Sequence, residues 1–173
     1  KLANSCKELS VWLIHVSTDY VFDGTATKPY TENDKTNPLG VYGESKLNGE
    51  LAIKLSGCNH IIIRTAWVFS EYGNNFLKTM LRVGAELDTL NIVDDQIGCP
   101  TYAPDVAKAI VTILPSLSSK ISGADIFHYC GDQACSWYEF AKAIFAEAEI
   151  FGLKTPNCIN SIDTVEYLSP AIR

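Results

Sequence analysis

No Cys-x-x-Cys pair occurs among the six cysteines of this 173-residue chain, and basic side chains are the minority, 14 against 20 acidic ones. No apolar run reaches the roughly 18 residues that a membrane span needs. Each deficit excludes a class. Without paired cysteines, and with His15, His60 and His128 far apart, nothing matches the ligand spacing of a zinc site. Cys6, Cys58, Cys99, Cys130, Cys135 and Cys158 are scattered through apolar segments as small buried residues are, and they read as reduced thiols of a cytoplasmic protein. The lack of a signal peptide and of a long apolar stretch gives no expectation of a membrane partner. A net charge of −6 argues against nucleic acid. A nucleotide ligand stays open, because local dipoles and a few cations hold phosphate on an acidic protein.

The dinucleotide fingerprint G-x-G-x-x-G is also missing. Gly40, Gly43 and Gly49 lie close together, but their spacing differs and no apolar strand runs into them. A dinucleotide bound here would need its phosphate cradle from elsewhere. The chain begins at Lys1 inside helix-like "KLANSCKEL" and stops at "SPAIR", so it reads as part of a larger protein. The 173 residues are expected to bind cofactor poorly and to show no turnover alone.

What is present is an ordinary globular composition, 47% hydrophobic and 20% charged, enough for one core or a domain with a small lobe. Alternating strand and helix signals predict a largely parallel α/β sheet with crossover helices. "VWLIHV" (Val11–Val16) and "HIIIRTAWVF" (His60–Phe69) read as strands buried on both faces. Between them a loop rich in Gly, Pro, Asn and Asp precedes a helix from Tyr42 to Ser56, with Leu47, Leu51 and Leu55 as its expected core face. "NFLKTMLRVGAE" is helical in period, "TLNIVDD" a short strand, and Pro104 suits the start of the helix "DVAKAIVTILP". "DIFHYCG" is a strand. Ser136 and Glu139 form a capping box before "FAKAIFAEAEI", which Gly152 closes.

Polar residues gather where the first strand ends. In an open α/β sheet the carboxyl ends of strands face the ligand, so Ser17, Thr18 and Asp19 are placed to project into a cleft. The same three residues also suit the capping of a turn. Tyr42 and Lys46 follow on the next helix, four apart and therefore on one face. A Tyr-x-x-x-Lys pair is cheap, since chance supplies roughly half of one in a chain of this composition. In this setting it has a chemical meaning. A phenol is a sluggish acid at neutrality, and an ammonium one turn away favours its ionised form. A strand-end hydroxyl sharing the same oxygen completes an acid–base site for a ketone or alcohol.

The stretches "STDYVFDG", "PLGVYGESKLNGE", "IIIRTAWVFSEYGNNF" and "IVDDQIGCPTYAPDVAKAI" resemble, in order and spacing, the extended short-chain dehydrogenase/reductase superfamily. Within it they are similar to the dTDP-4-dehydrorhamnose reductases. The resemblance implies a partial Rossmann-like, doubly wound parallel sheet with a small C-terminal α/β substrate-binding lobe. Residues 1–70 and 104–130 would be the second part of the NAD(P)-binding domain, and 71–103 and 131–173 the lobe. It implies NADPH or NADH as cofactor and a dTDP-sugar as substrate, and it leaves any Mg²⁺ requirement unread. Tyr42 would donate a proton to the sugar C4 oxygen, and Lys46 would hold the nicotinamide ribose. Thr18 would bond near the reacting oxygen, with Asp19 beside it, and Val16 and Ser17 would border the cofactor. Trp67 matches a substrate-contacting tryptophan, with core packing as the other reading. Asn75, Gln96 and Thr101 are weaker candidates for the nucleotide diphosphate. Asp94 and Asp95 read as solvated, and the three histidines as structural. A homodimer is compatible with the resemblance. The related 4,6-dehydratases carry Asp-Glu after the threonine, whereas here Tyr20 follows Asp19, and the epimerases fit "TDYVFDG" poorly. The regulatory β subunit of methionine adenosyltransferase, a partner protein of similar motifs, is the non-enzymatic alternative.

Overall fold

The structure is a computed structural model that describes residues 1–117 and 123–167. Residues 168–173, the end of the expected lobe, lie outside the described residues. In chain order the elements are α1 (Leu2–Glu8), β1 (Leu13–Thr18), α2 (Val41–Ser56), β2 (His60–Thr65), β3 (Val68–Phe69), α3 (Phe76–Glu86) and β4 (Thr89–Val93). There follow β5 (Ile97–Gly98), β6 (Thr101–Tyr102), α4 (Ala103–Ile113), β7 (Ala124–His128), β8 (Cys135–Ser136), α5 (Trp137–Ile150) and β9 (Cys158–Ile162). Two compact units result. Of the described residues, one comprises Lys1–Ala66 and 106–129; the other comprises Trp67–Asp105 and 130–167.

In the first unit β1, β2 and β7 form a parallel sheet in the order β1-β2-β7. Thr18 stands opposite Thr65, and Arg64 opposite both Ser17 and His128. β2 is buried along its whole length, as its apolar run predicts, with Ile61, Ile62 and Ile63 at most 1% exposed. Each such side chain contributes about 1.5–3 kcal/mol by leaving water. Ala3 and Cys6 of α1, Ile53 of α2, Cys58 and Ile62 pack as one cluster, joined by Leu13 and Ile126.

Three expectations are corrected. β1 is not buried on both faces: it is the edge of the described sheet, and Val16 is 41% exposed. The run "HIIIRTAWVF" is two strands rather than one, because the chain leaves the first sheet after Thr65 and turns at Trp67, whose φ is 46°. The leucines of α2 are not its core face, since Leu51 and Leu55 are exposed. The buried row is Gly43, Glu50 and Ile53. Gly43 sets that choice, because the Tyr20 carbonyl occupies the space a side chain there would fill.

In the second unit β4 and β9 pair in parallel, β3 and β6 likewise, and β5 and β8 antiparallel. Ile92, Ala141 and Phe145 form the core, with Phe76, Met80, Leu90, Trp137, Tyr138 and Ile159 against it. α3 approaches α5 closely at Gly84, where the Phe145 ring takes the place of a side chain. The Ser136–Glu139 capping box opens α5, and Gly152 at φ 69° follows its end. β9 carries too little apolar alternation to be read from sequence. No disulfide joins any of the six cysteines. No helix among the described residues is long and apolar enough to cross a membrane.

Candidate active site

Helix α2 carries two of the candidate residues, Tyr42 and Lys46, and its approach to β1 places them. Gly43 lets the first turn settle against the Tyr20 carbonyl. The Tyr42 ring then meets Tyr20 edge-on, with centroids 5.8 Å apart, and remains 60% exposed. One turn later Lys46 reaches back to the sheet, where its Nζ donates to the Val16 carbonyl at 2.8 Å. The ammonium is therefore fixed at the end of β1 by a neutral acceptor. No ion pair among the described residues includes it, so its charge is not cancelled locally.

At that strand end Thr18 is buried. Its hydroxyl donates to Asp19 Oδ1 at 3.0 Å and accepts the Tyr20 N–H at 3.3 Å. Burial pushes the Asp19 carboxyl above the usual carboxylate range, against the opposing hydrogen bonds from Thr18 and nearby backbone. Ser17 departs from expectation. Side chains alternate along a strand, and its hydroxyl points to the opposite face from Thr18. There it donates to Glu50 Oε1 at 2.5 Å rather than opening to a cleft.

Sequence reasoning missed the network that receives Ser17. Glu50 is fully buried on α2, one turn beyond Lys46. Arg64 of β2 clasps it with two bonds, Nε to Oε1 at 3.0 Å and Nη2 to Oε2 at 2.7 Å. The guanidinium also lies 5.1 Å from the centroid of the Phe22 ring and 3.5 Å from His128 Nε2. Burial opposes ionisation of Glu50, but the bonds from Arg64 and Ser17 outweigh it and hold the carboxyl below its usual range. The available signal was an arginine inside the apolar run "IIIRT", which demands a buried partner.

The remaining candidates lie in the second unit, and most have internal partners. Trp67 is stacked on Trp137, centroids 3.4 Å apart and planes 10° apart, with Gly98 giving room for its indole. One face of that ring is therefore closed to a ligand. Gln96 accepts from Trp137 Nε1 at 3.2 Å and donates to Thr164 Oγ1 at 3.0 Å. Thr101 is buried, donating to the Cys99 carbonyl and accepting from the Gly131 N–H. Asn75 caps α3 by accepting the Lys78 N–H at 3.1 Å, and it donates to the Ser70 carbonyl. The polar atoms expected to meet a diphosphate thus have partners within the second unit. Asp94 accepts from Ser136, and Asp95 from Thr164. Among the described residues no group of three or more His, Cys, Asp and Glu side chains converges on a metal position. His15, His60 and His128 all lie on the parallel sheet, and His60 and His128 bond backbone carbonyls.

A phenol and an uncancelled ammonium on the helix that follows β1 of a parallel sheet is the arrangement of the short-chain dehydrogenases and reductases. The chain belongs, within that class, to the RmlD substrate binding domain family, whose family model matches residues 1–173. It is 47% identical to a dTDP-4-dehydrorhamnose reductase of Sinorhizobium fredii, over 99% of this chain and 58% of that protein. A crystal structure of such a reductase from Clostridium acetobutylicum superposes with a TM-score of 0.87 at 37% identity, covering 99% of this chain and 57% of the other. One from Bacillus anthracis, solved in complex with NADP, gives 0.85 at 36% identity, covering 99% and 58%. The chain thus spans a little under three fifths of the length of these relatives.

Proposed function

We propose that this chain carries the proton-donating and sugar-binding parts of an NAD(P)H-dependent reductase acting on the C4 ketone of dTDP-4-dehydro-L-rhamnose, to give dTDP-L-rhamnose. The observation that carries the proposal is the Lys46–Val16 hydrogen bond, which fixes an ammonium one turn from an accessible phenol. Relatives named for this activity, one of them solved with NADP, support it. On this reading the first unit is the second part of a Rossmann-like NAD(P)-binding domain, and the second unit is the substrate lobe.

The described residues fit the reactive end of a nicotinamide cofactor, which Tyr42, Lys46 and the exposed Val16 would hold. When bound, the cofactor, NADPH or NADH, supplies the hydride. Tyr42 gives its phenolic proton to the carbonyl oxygen as negative charge develops there. Lys46 stabilises the phenolate left behind while its Nζ stays anchored on the Val16 carbonyl. Thr18 reaches the same oxygen only by turning its hydroxyl proton away from Asp19, so the Asp19 carboxylate competes with substrate for that donor. Asp19, in the first unit, lies beside the hydroxyl of Thr18 that bonds near the reacting oxygen; within the second unit, Trp67 offers a sugar its edge or its uncovered face.

Replacing Tyr42 by Phe tests the proposal. Made in a protein spanning the full length of the relatives, the variant keeps the ring and is expected to lose about 10²–10⁴ in kcat, as removal of a general acid does. NADPH oxidation with the keto-sugar nucleotide reads the loss, and near-normal turnover removes Tyr42 from the mechanism. The reading extends to a cytoplasmic enzyme that forms a homodimer, which sedimentation tests. Co-purification with a larger catalytic subunit would instead favour a regulatory role.

A further inference from the structure

Two buried side-chain polar atoms have no hydrogen-bond partner among the described residues: His15 Nε2 and Thr65 Oγ1. They differ in position. His15 Nε2 lies over Gly49, beneath α2. Thr65 is the last residue of β2, at the carboxyl edge of the parallel sheet and 7% exposed. Ligands bind at that edge in folds of this type. Thr65 is also the register partner of Thr18, so the two β-carbons stand on the same face of adjacent strands.

An unpaired hydroxyl at this position is a choice the empty fold does not need. Residues 61–63 are all isoleucine, and a valine at 65 would fill the same volume with no orphan oxygen and with equal or better strand propensity. A buried hydroxyl left unpaired weakens the folded state. It does so here one strand away from Thr18 and immediately before the turn at Trp67, where the chain leaves the sheet.

We propose that Thr65 is a ligand-contacting hydroxyl, paired only when an amide or hydroxyl group of a bound nucleotide reaches the ends of β1 and β2. The assignment rests on the reductase reading for the chemistry of that ligand, which the nicotinamide cofactor or the sugar nucleotide could supply. Thr65 adds a second hydroxyl beside Thr18, and unlike Thr18 it has no internal acceptor to give up before binding.

The test compares Thr65→Val and Thr65→Ser in a protein spanning the full length of the relatives, by thermal unfolding without ligand and by calorimetric titration with NADPH and with dTDP-L-rhamnose. Thr65→Val is expected to keep or raise the ligand-free midpoint while weakening one titration about 5–30-fold, the range of one lost hydrogen bond. Thr65→Ser, which retains the oxygen, is expected to bind within about threefold of wild type. A loss confined to NADPH assigns the contact to the cofactor, and a loss confined to dTDP-L-rhamnose assigns it to the sugar nucleotide. A lowered ligand-free midpoint in Thr65→Val reveals an internal partner and overturns the proposal, as does unchanged binding of both ligands. Wild-type protein that binds neither ligand sinks the reductase reading and this proposal together; unchanged binding by the variant sinks this proposal alone.

Discussion

Glu50→Ala is the most demanding test of how the site is held. The substitution removes a buried carboxylate that joins α2 to β1 and β2, through Ser17 and Arg64. Arg64, whose side chain is 3% exposed, would keep only the Phe22 ring face and a long contact to His128. Breaking a buried ion pair from one side costs about 3–5 kcal/mol, chiefly because the surviving charge stays desolvated. Against a total stability of about 5–15 kcal/mol for a domain, that is a large share.

Two companions separate the causes. Glu50→Leu with Arg64→Met removes both charges and is expected to recover all but about 1 kcal/mol, the residue being the Ser17 hydroxyl left without its acceptor. Glu50→Gln keeps the shape and loses the charge, and it carries a pH signature. Because the folded-state carboxyl titrates below its usual range, its stabilisation is complete above the unfolded value and disappears as pH falls through the folded one. The gap between wild type and Glu50→Gln should therefore be wide near pH 7 and should close only as pH falls below the ordinary carboxylate range. Urea denaturation measures each difference, with equal slopes as the control. A Glu50→Ala protein within about 1 kcal/mol of wild type at neutral pH would refute the claim that this pair is dry and structural.

Two further changes probe the same strand end. In an open helix Gly→Ala stabilises by about 1 kcal/mol, but at Gly43 the new methyl meets the Tyr20 carbonyl and Pro38. Gly43→Ala is expected to destabilise by about 1–3 kcal/mol and, in a protein spanning the relatives' full length, to lower kcat at least tenfold as Tyr42 moves; unchanged kinetics there would show that this close approach does not set the phenol. Asp19→Asn addresses the raised carboxyl. A buried acid whose folded value lies above its unfolded value costs stability once pH exceeds both, and the cost vanishes as pH falls. The variant should have a higher unfolding midpoint than wild type near neutrality, with the two converging at acid pH; a lower midpoint at neutrality would show that the bond from Thr18 outweighs burial.

How much of this was legible in the sequence follows from the range of each interaction. Tyr42 and Lys46 sit one turn apart, so their shared face is a property of any helix and could be read directly. The strand-end position of Thr18 followed from the apolar run before it, and the Ser136–Glu139 cap from four consecutive residues. The partners of Gln96 and Thr101 could not be read, because only the folded second unit brings Trp137, Thr164 and Gly131 to them; Asn75 is different, since its partners Lys78 and Ser70 lie within five residues of it. A polar side chain in a family motif looks the same from sequence whether it meets a ligand or a neighbouring loop.

The leucines of α2 show the opposite error, and its cause is physical. A stripe at 47, 51 and 55 is the better apolar face, yet the helix turns Gly43, Glu50 and Ile53 to the sheet. That rotation is paid for by the Glu50–Arg64 pair. It also brings Lys46 within 2.8 Å of the Val16 carbonyl. With the leucine face inward, residues 43, 46 and 50, which share one side of the helix, would turn away from β1. The buried charge that hydrophobic patterning counts against this rotation is therefore the condition for the ammonium to reach the strand end. Patterning fails on α2 because the helix is oriented by the chemistry it carries.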